Sequence, residues 1–171
     1  MNRVLSVVEE RFPIAGTFTI SRGSKTEAEV IACTIAEGEN SGRGECVPYR
    51  RYGETMESVR LEIEAVGLAV AAGINRTELL LAMKPGAARN AVDCALWDLE
   101  AKSTNVRVAE RLGIASPSPL ETAFTLSLAS PDAMAAQARE NALRPLLKVK
   151  IGGEGDIAVS ARSAKRRRPA G

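Results

Sequence analysis

The sequence contains no histidine. That absence removes Ser-His-Asp and Cys-His catalysis, His-ligated zinc and imidazole general bases together. Proton chemistry therefore has to rest on Lys, Asp, Glu, Tyr or Cys. Aromatic residues are scarce, 4% of 171, so the core must be built from Ala, Val, Ile and Leu. Such a core suits helices and buried strands better than an aromatic-rich β-sandwich. The three cysteines, Cys33, Cys46 and Cys94, are odd in number and form no C-x-x-C pair. A reduced, cytoplasmic setting is expected. The longest apolar stretch, around Val66 to Ile74, falls well short of the ~20 residues that span a bilayer. Glu9, Glu10 and Arg11 interrupt the apolar start, which argues against an export signal.

Acidic residues are missing from the last thirteen positions, which carry Arg162, Lys165, Arg166, Arg167 and Arg168. Removing those five charges from the net +2 leaves the rest of the chain at −3. The body is mildly acidic and the basicity belongs to the tail. A K-R-R-R run can bind phosphates through counterion release, but no aromatics interleave it for base stacking. A solvated tail is the expectation, and nucleic acid is not an expected partner.

What is present begins with strand patterns. Val4, Ser6 and Val8, then Phe18 and Ile20, alternate with more polar neighbours, and A-E-V-I-A-C-T-I-A is β-branched with a period of two. Gly38, Asn40, Ser41, Gly42 and Gly44 predict a turn, followed by a short strand, G-E-C-V, stopped at Pro48. Helices follow. Thr55 is a candidate N-cap for a helix through Val59, Ile63, Val66 and Val70, ending near Gly73. A short helix spans Leu79 to Met83, and a third places Val92, Ala95, Leu96 and Leu99 on one stripe. A fourth runs from Val106 to Leu112. I-A-S-P-S-P then reads as a linker. Beyond it the rhythm is strand, helix, strand: E-T-A-F-T-L-S-L, a helix opened by Ser130-Pro131-Asp132, and L-L-K-V-K-I. A helical crossover implies parallel pairing of the two strands.

The K-V-K triplet places Lys148 and Lys150 on one face of a strand, about 6–7 Å apart. They can be read as solvated edge residues or as a base and its neighbour. Two ammonium groups at that separation repel by about 2.4 kcal/mol at an effective dielectric near 20, which favours release of a proton from one of them. Burial or a metal would have to add to that effect. Arg22, in a loop between strands, can pair with a carboxylate or simply face solvent.

Four separated segments, in order, carry a more specific signal: F-T-I-S-R-G-S-K-T-E-A, G-E-C-V-P-Y-R-R-Y-G-E, P-G-A-A-R-N-A-V-D-C-A-L-W-D-L-E-A-K and L-L-K-V-K-I-G. Together they resemble the dipeptide epimerases of the muconate-lactonizing-enzyme subgroup in the enolase superfamily. The resemblance implies an α+β capping domain, an antiparallel meander plus helices, over residues 1–115. It implies the first β-α-β portion of an incomplete (β/α)₇β TIM-like barrel over 120–157. The reaction implied is Mg²⁺-dependent epimerisation of dipeptides such as L-Ala-L-Glu, by lysine-mediated 1,1-proton transfer through an enolate. By position, Lys150 resembles the base on one face, Lys148 the neighbour that tunes it, and Thr125 a substrate contact. Arg22 resembles a cap-loop arginine that meets the substrate side chain, and Tyr49 to Gly53 resembles a second capping loop. The family's metal carboxylates lie on its third to fifth barrel strands. Glu154 and Asp156 do not match them, so no metal ligand is assigned in this chain. The partner implied is a small dipeptide, and a homo-oligomer is compatible with the family.

The tail 158–171 departs from the family, which continues with an amphipathic helix. Back-translated in GC-rich codons and read one frame over, it becomes R-L-R-A-V-R-E-A-A-P-A, a suitable second barrel helix. A frameshift near Ala158 is the expectation, and with it a truncated chain lacking activity. Alternatives are another reaction of the subgroup, cycloisomerisation or N-acylamino acid racemisation, and a non-catalytic interaction module.

Overall fold

The computed structural model describes residues 2–114 and 117–152. The expected frameshift, the basic tail, Glu154 and Asp156 lie outside the described residues, as does part of the expected linker. The chain divides into two compact units, one of residues 1–12 with 29–117 and one of residues 13–28 with 118–171.

The first unit is built on a three-stranded sheet in the order β1 (Val4–Ile20), β2 (Gly23–Glu37), β3 (Asn40–Cys46). β1 is a single 17-residue strand where the sequence suggested two short ones. It passes through Pro13 because it lies at the sheet edge, where a missing N–H costs no ladder bond. β2 and β3 pair antiparallel with Cys33 opposite Gly44 and Ile35 opposite Gly42. Gly42 belongs to the strand and not to the expected turn, and Gly44 lies in the strand as the G-E-C-V reading implied. A Cβ at Gly42 would overlap the Ala95 carbonyl, and one at Gly44 would overlap the Ala91 carbonyl. Their hydrogens allow the backbone of helix α4 to lie directly on the sheet.

Helices cover that face. α1 (Met56–Ala65) starts at a Thr55 N-cap whose Oγ1 accepts from the Ser58 N–H at 3.0 Å, and the Ser58 hydroxyl accepts from the Thr55 N–H in return. The expected helix to Gly73 is broken at Val66, and α2 (Gly67–Ala71) follows. α3 (Arg76–Ala82) is capped by Asn75 with Glu78 reaching back. α4 (Ala87–Thr104) ends at Asn105 in the left-handed region, φ 52°. α5 (Val108–Arg111) is a single turn. The expected stripe of Val92, Ala95, Leu96 and Leu99 is buried against Ile31, Cys33, Ile35, Val59, Ile63 and Leu79.

The second unit contains the tip of the β1–β2 hairpin and a parallel pair, β4 (Phe124–Leu126) and β5 (Leu147–Val149), joined through α6 (Pro131–Glu140). Ser130 caps α6 and Pro131 occupies its first turn, as the sequence implied. Leu126, Met134, Ala135 and Ala138 are buried. They come from one face of β4 and one stripe of α6. No helix among the described residues is long and apolar enough to cross a membrane.

Candidate active site

The register of the parallel pair is Phe124 with Leu147, Thr125 with Lys148 and Leu126 with Val149. Registered residues share a face. Leu126 turns to the α6 side, where it is fully buried, so Thr125 and Lys148 occupy the opposite face. Lys150 follows β5 directly and is half-buried, whereas Lys148 is exposed. The segment entering β5 is held by the Phe124 N–H donating to the Leu146 carbonyl at 2.9 Å and by the Arg144 guanidinium 4.2 Å above the Phe124 ring.

Arg22 lies in the two-residue turn, Ser21-Arg22, between β1 and β2, and is exposed. The tip of this hairpin is bonded to the residues just after β4. Thr19 donates its N–H to Ser127 Oγ at 2.7 Å, Ser127 Oγ donates to the Thr17 carbonyl at 3.1 Å, and the Leu128 N–H donates to the Thr19 carbonyl at 2.9 Å. A Cβ built on Gly152 would lie 2.6 Å from Ser21 Cβ. Gly152 is two residues beyond Lys150, so the fold brings the arginine turn to the end of β5. Thr125, Lys148, Lys150 and the turn bearing Arg22 therefore meet in one unit.

The loop from Tyr49 to Gly53 belongs to the first unit. It contains one 3₁₀ turn, Arg50–Tyr52, closed by Gly53 at φ 75°. Glu54 anchors it: Oε2 accepts from the Tyr49 N–H at 2.9 Å and Oε1 accepts from the Ala87 N–H, at the start of α4, at 2.7 Å. A cavity of about 290 Å³ is lined by Cys46, Tyr49, Tyr52, Glu54 and Asn90 among others. Glu54, Thr19, Ser127 and Gly152 were not singled out in the sequence. The signals available were the place of Gly152 in K-V-K-I-G-G and of Glu54 at the end of G-E-C-V-P-Y-R-R-Y-G-E, and Ser127 carried none.

Thiol chemistry is disfavoured. Burial pushes the Cys33 thiol up to about 11 and the Cys46 thiol up to about 12, and it also raises Cys94. None supplies a thiolate at neutral pH.

Residues 2–113 match the model of the mandelate racemase / muconate lactonizing enzyme N-terminal domain. The chain belongs to this family. Among its relatives is the L-Ala-D/L-Glu epimerase of Escherichia coli K12, 42% identical over 151 residues, which are 87% of this chain and 47% of that protein. An enolase family member from Agrobacterium tumefaciens with homology to dipeptide epimerases, solved with sodium and L-Ala-L-Glu, is 55% identical with a TM-score of 0.93. The match covers 96% of this chain and 51% of that one. The dipeptide epimerase of Enterococcus faecalis V583, solved with Mg and L-Leu-L-Tyr, is 28% identical with a TM-score of 0.84, over 96% of this chain and 50% of that one. The chain thus spans about half the length of the relatives it matches. Its sheet with covering helices, followed by a parallel strand pair, is the capping domain and barrel start of the enolase superfamily fold. Homologues in this family include dipeptide epimerases, two of which were solved with Mg and a dipeptide. Among the described residues, no group of three or more Cys, Asp or Glu side chains is placed to hold a metal ion. These residues therefore do not fit Mg²⁺ by themselves.

Proposed function

We propose that this chain is the capping and first-barrel portion of an epimerase for dipeptides of the L-Ala-L-Glu type. Residues 1–115 are the cap, 120–157 the barrel start, and 158–171 a tail outside that plan. The observation that carries the reading is the parallel register of Thr125 with Lys148, with Lys150 immediately beyond it. That arrangement supplies a lysine at the carboxyl end of a barrel-type strand, the end at which this architecture performs chemistry.

In this reading neutral Lys150 Nζ takes the α-proton of the C-terminal residue, and the C–H electron pair moves into the adjoining carboxylate. A proton delivered to the opposite face inverts the centre, and its donor belongs to a strand after β5. Lys148, two residues before Lys150, is its charged neighbour along the chain. Thr125 contacts the substrate, and Arg22 pairs with a side-chain carboxylate. Mg²⁺ is the cofactor this chemistry implies, with ligands beyond the described residues. The 171 residues alone perform no turnover, and the setting is cytoplasmic.

The test is a chimera in which residues 1–152 replace the matching half of the Agrobacterium tumefaciens relative. Exchange of the glutamyl α-proton of L-Ala-L-Glu in D₂O, followed by NMR, is expected in the chimera and absent in the 171-residue chain. Lys150→Met should slow it by about a thousandfold, the usual scale for a general base. Exchange by the chain alone, or a chimera indifferent to Lys150→Met, would overturn the reading.

A further inference from the structure

We propose that Ser127 and Gly152 are positioning residues that clasp the tip of the β1–β2 hairpin onto the ends of β4 and β5, and so fix the turn carrying Arg22. This rests on the reading of Arg22 and Lys150 given above and adds the device that keeps them at one end of the strands.

Ser127 serves both directions of the clasp. Its hydroxyl accepts from the Thr19 N–H at 2.7 Å and donates to the Thr17 carbonyl at 3.1 Å. A hydroxyl can do both at once, and neither an alanine nor a carboxylate can. The next residue closes the pattern, the Leu128 N–H donating to the Thr19 carbonyl at 2.9 Å. Ser127 is itself oriented, since its N–H donates to Gln137 Oε1 on α6 at 3.2 Å. On the hairpin side, Thr19 Oγ1 lies 2.9 Å from Ser24 Oγ, bridging the two strands across the turn.

Gly152 acts by what it lacks. Any Cβ there would stand 2.6 Å from Ser21 Cβ and 3.2 Å from Ser21 Cα. Those atoms sit at the root of a side chain and cannot swing away, so the turn itself would have to move. Ser21 precedes Arg22, and a shift of one carries the other. A misplacement of about 1 Å is enough to cost a reacting pair a hundredfold in rate.

Hydrogen exchange on the 171-residue chain tests the clasp without turnover. The Thr19 and Leu128 amides should be protected in the unaltered chain. They should exchange at least tenfold faster in Ser127→Ala and in Gly152→Ala, while the amides of the β2–β3 ladder keep their rates. Ser127→Thr, which retains a hydroxyl, should restore protection at Thr19. Thr19 and Leu128 amides that exchange equally fast with and without Ser127, a Ser127→Thr variant no better than alanine, or equal acceleration of the β2–β3 ladder would each overturn the proposal. Failure of the epimerase reading shows separately, as a chimera without α-proton exchange whose hairpin amides are still protected.

Discussion

The two units reach stability by opposite routes. In the first, β3 and α4 approach closely because both surfaces are nearly bare, with Gly42 and Gly44 facing the backbone of Ala91, Ala95 and Leu99. In the second, two three-residue strands are covered on one face by a ten-residue helix, and Leu120, Leu143 and Ile151 stay exposed. A strand pair of that size is marginal in water. Its hairpin contact rests on a few polar groups. The first unit should therefore be intolerant of added volume, and the second of lost hydrogen bonds.

The largest effect expected from this contrast is at Gly44. Gly44→Val would drive side-chain atoms into the Ala91 carbonyl and against the Ala95 N–H, where only backbone can yield. A loss of about 3 kcal/mol is expected from such overpacking, read as a lowered urea midpoint. An unchanged midpoint would show that the sheet and α4 have slack between them, and the contrast would fail.

A smaller effect tests whether the first unit also depends on polar anchors. Glu54 holds its loop to the start of α4 much as Ser127 holds the hairpin, with one side chain serving two backbone groups. Its charge faces a helix N-terminus, which adds to the hydrogen bond. Glu54→Ala should cost about 2 kcal/mol and speed exchange at Tyr49 and Ala87. If exchange there is unaffected, the loop is held by the packing of Tyr49 and Tyr52, whose ring centroids are 5.6 Å apart.

Much of this was legible in the sequence where cause and effect lie close together. Thr55, Ser130 and Pro131 announced helix starts because capping is decided within three residues. The Val92 to Leu99 stripe announced a buried face through its spacing. Gly42 misled because a turn and a close-packed strand both call for glycine, and the helix that decides between them lies some fifty residues on. Pro13 likewise hid a continuous strand, since edge position is a property of the sheet. The lysine pair had two readings until the resemblance gave it a context. Ser127 was silent because its partner Thr19 is 108 residues away.

The smallest effect expected is electrostatic and again separates the units. Among the described residues, the carboxyls held below their ordinary range, Asp98, Glu100 and Glu110, belong to the first. For Glu100 the main cause is the hydrogen bond from Arg76 at 2.7 Å, reinforced by Arg111 at 3.0 Å. The Arg76 guanidinium is fixed in turn 3.3 Å above the Trp97 ring. For Asp98 burial acts upward, but the hydrogen bonds from Lys102 and the Arg43 N–H outweigh it. A carboxyl whose proton affinity falls on folding stabilises the fold fully above its unfolded value, near 4.5 for Glu100. That contribution is lost as pH falls through the lowered folded value. The ion pairs are partly exposed, so each is worth little. Glu100→Gln should therefore lower the melting temperature slightly at pH 7 and by progressively less as pH falls below 4.5, flattening the acid limb. A difference that stayed constant across that range would mean Glu100 contributes through shape and packing, leaving the first unit as indifferent to charge as its buried glycine contact suggests.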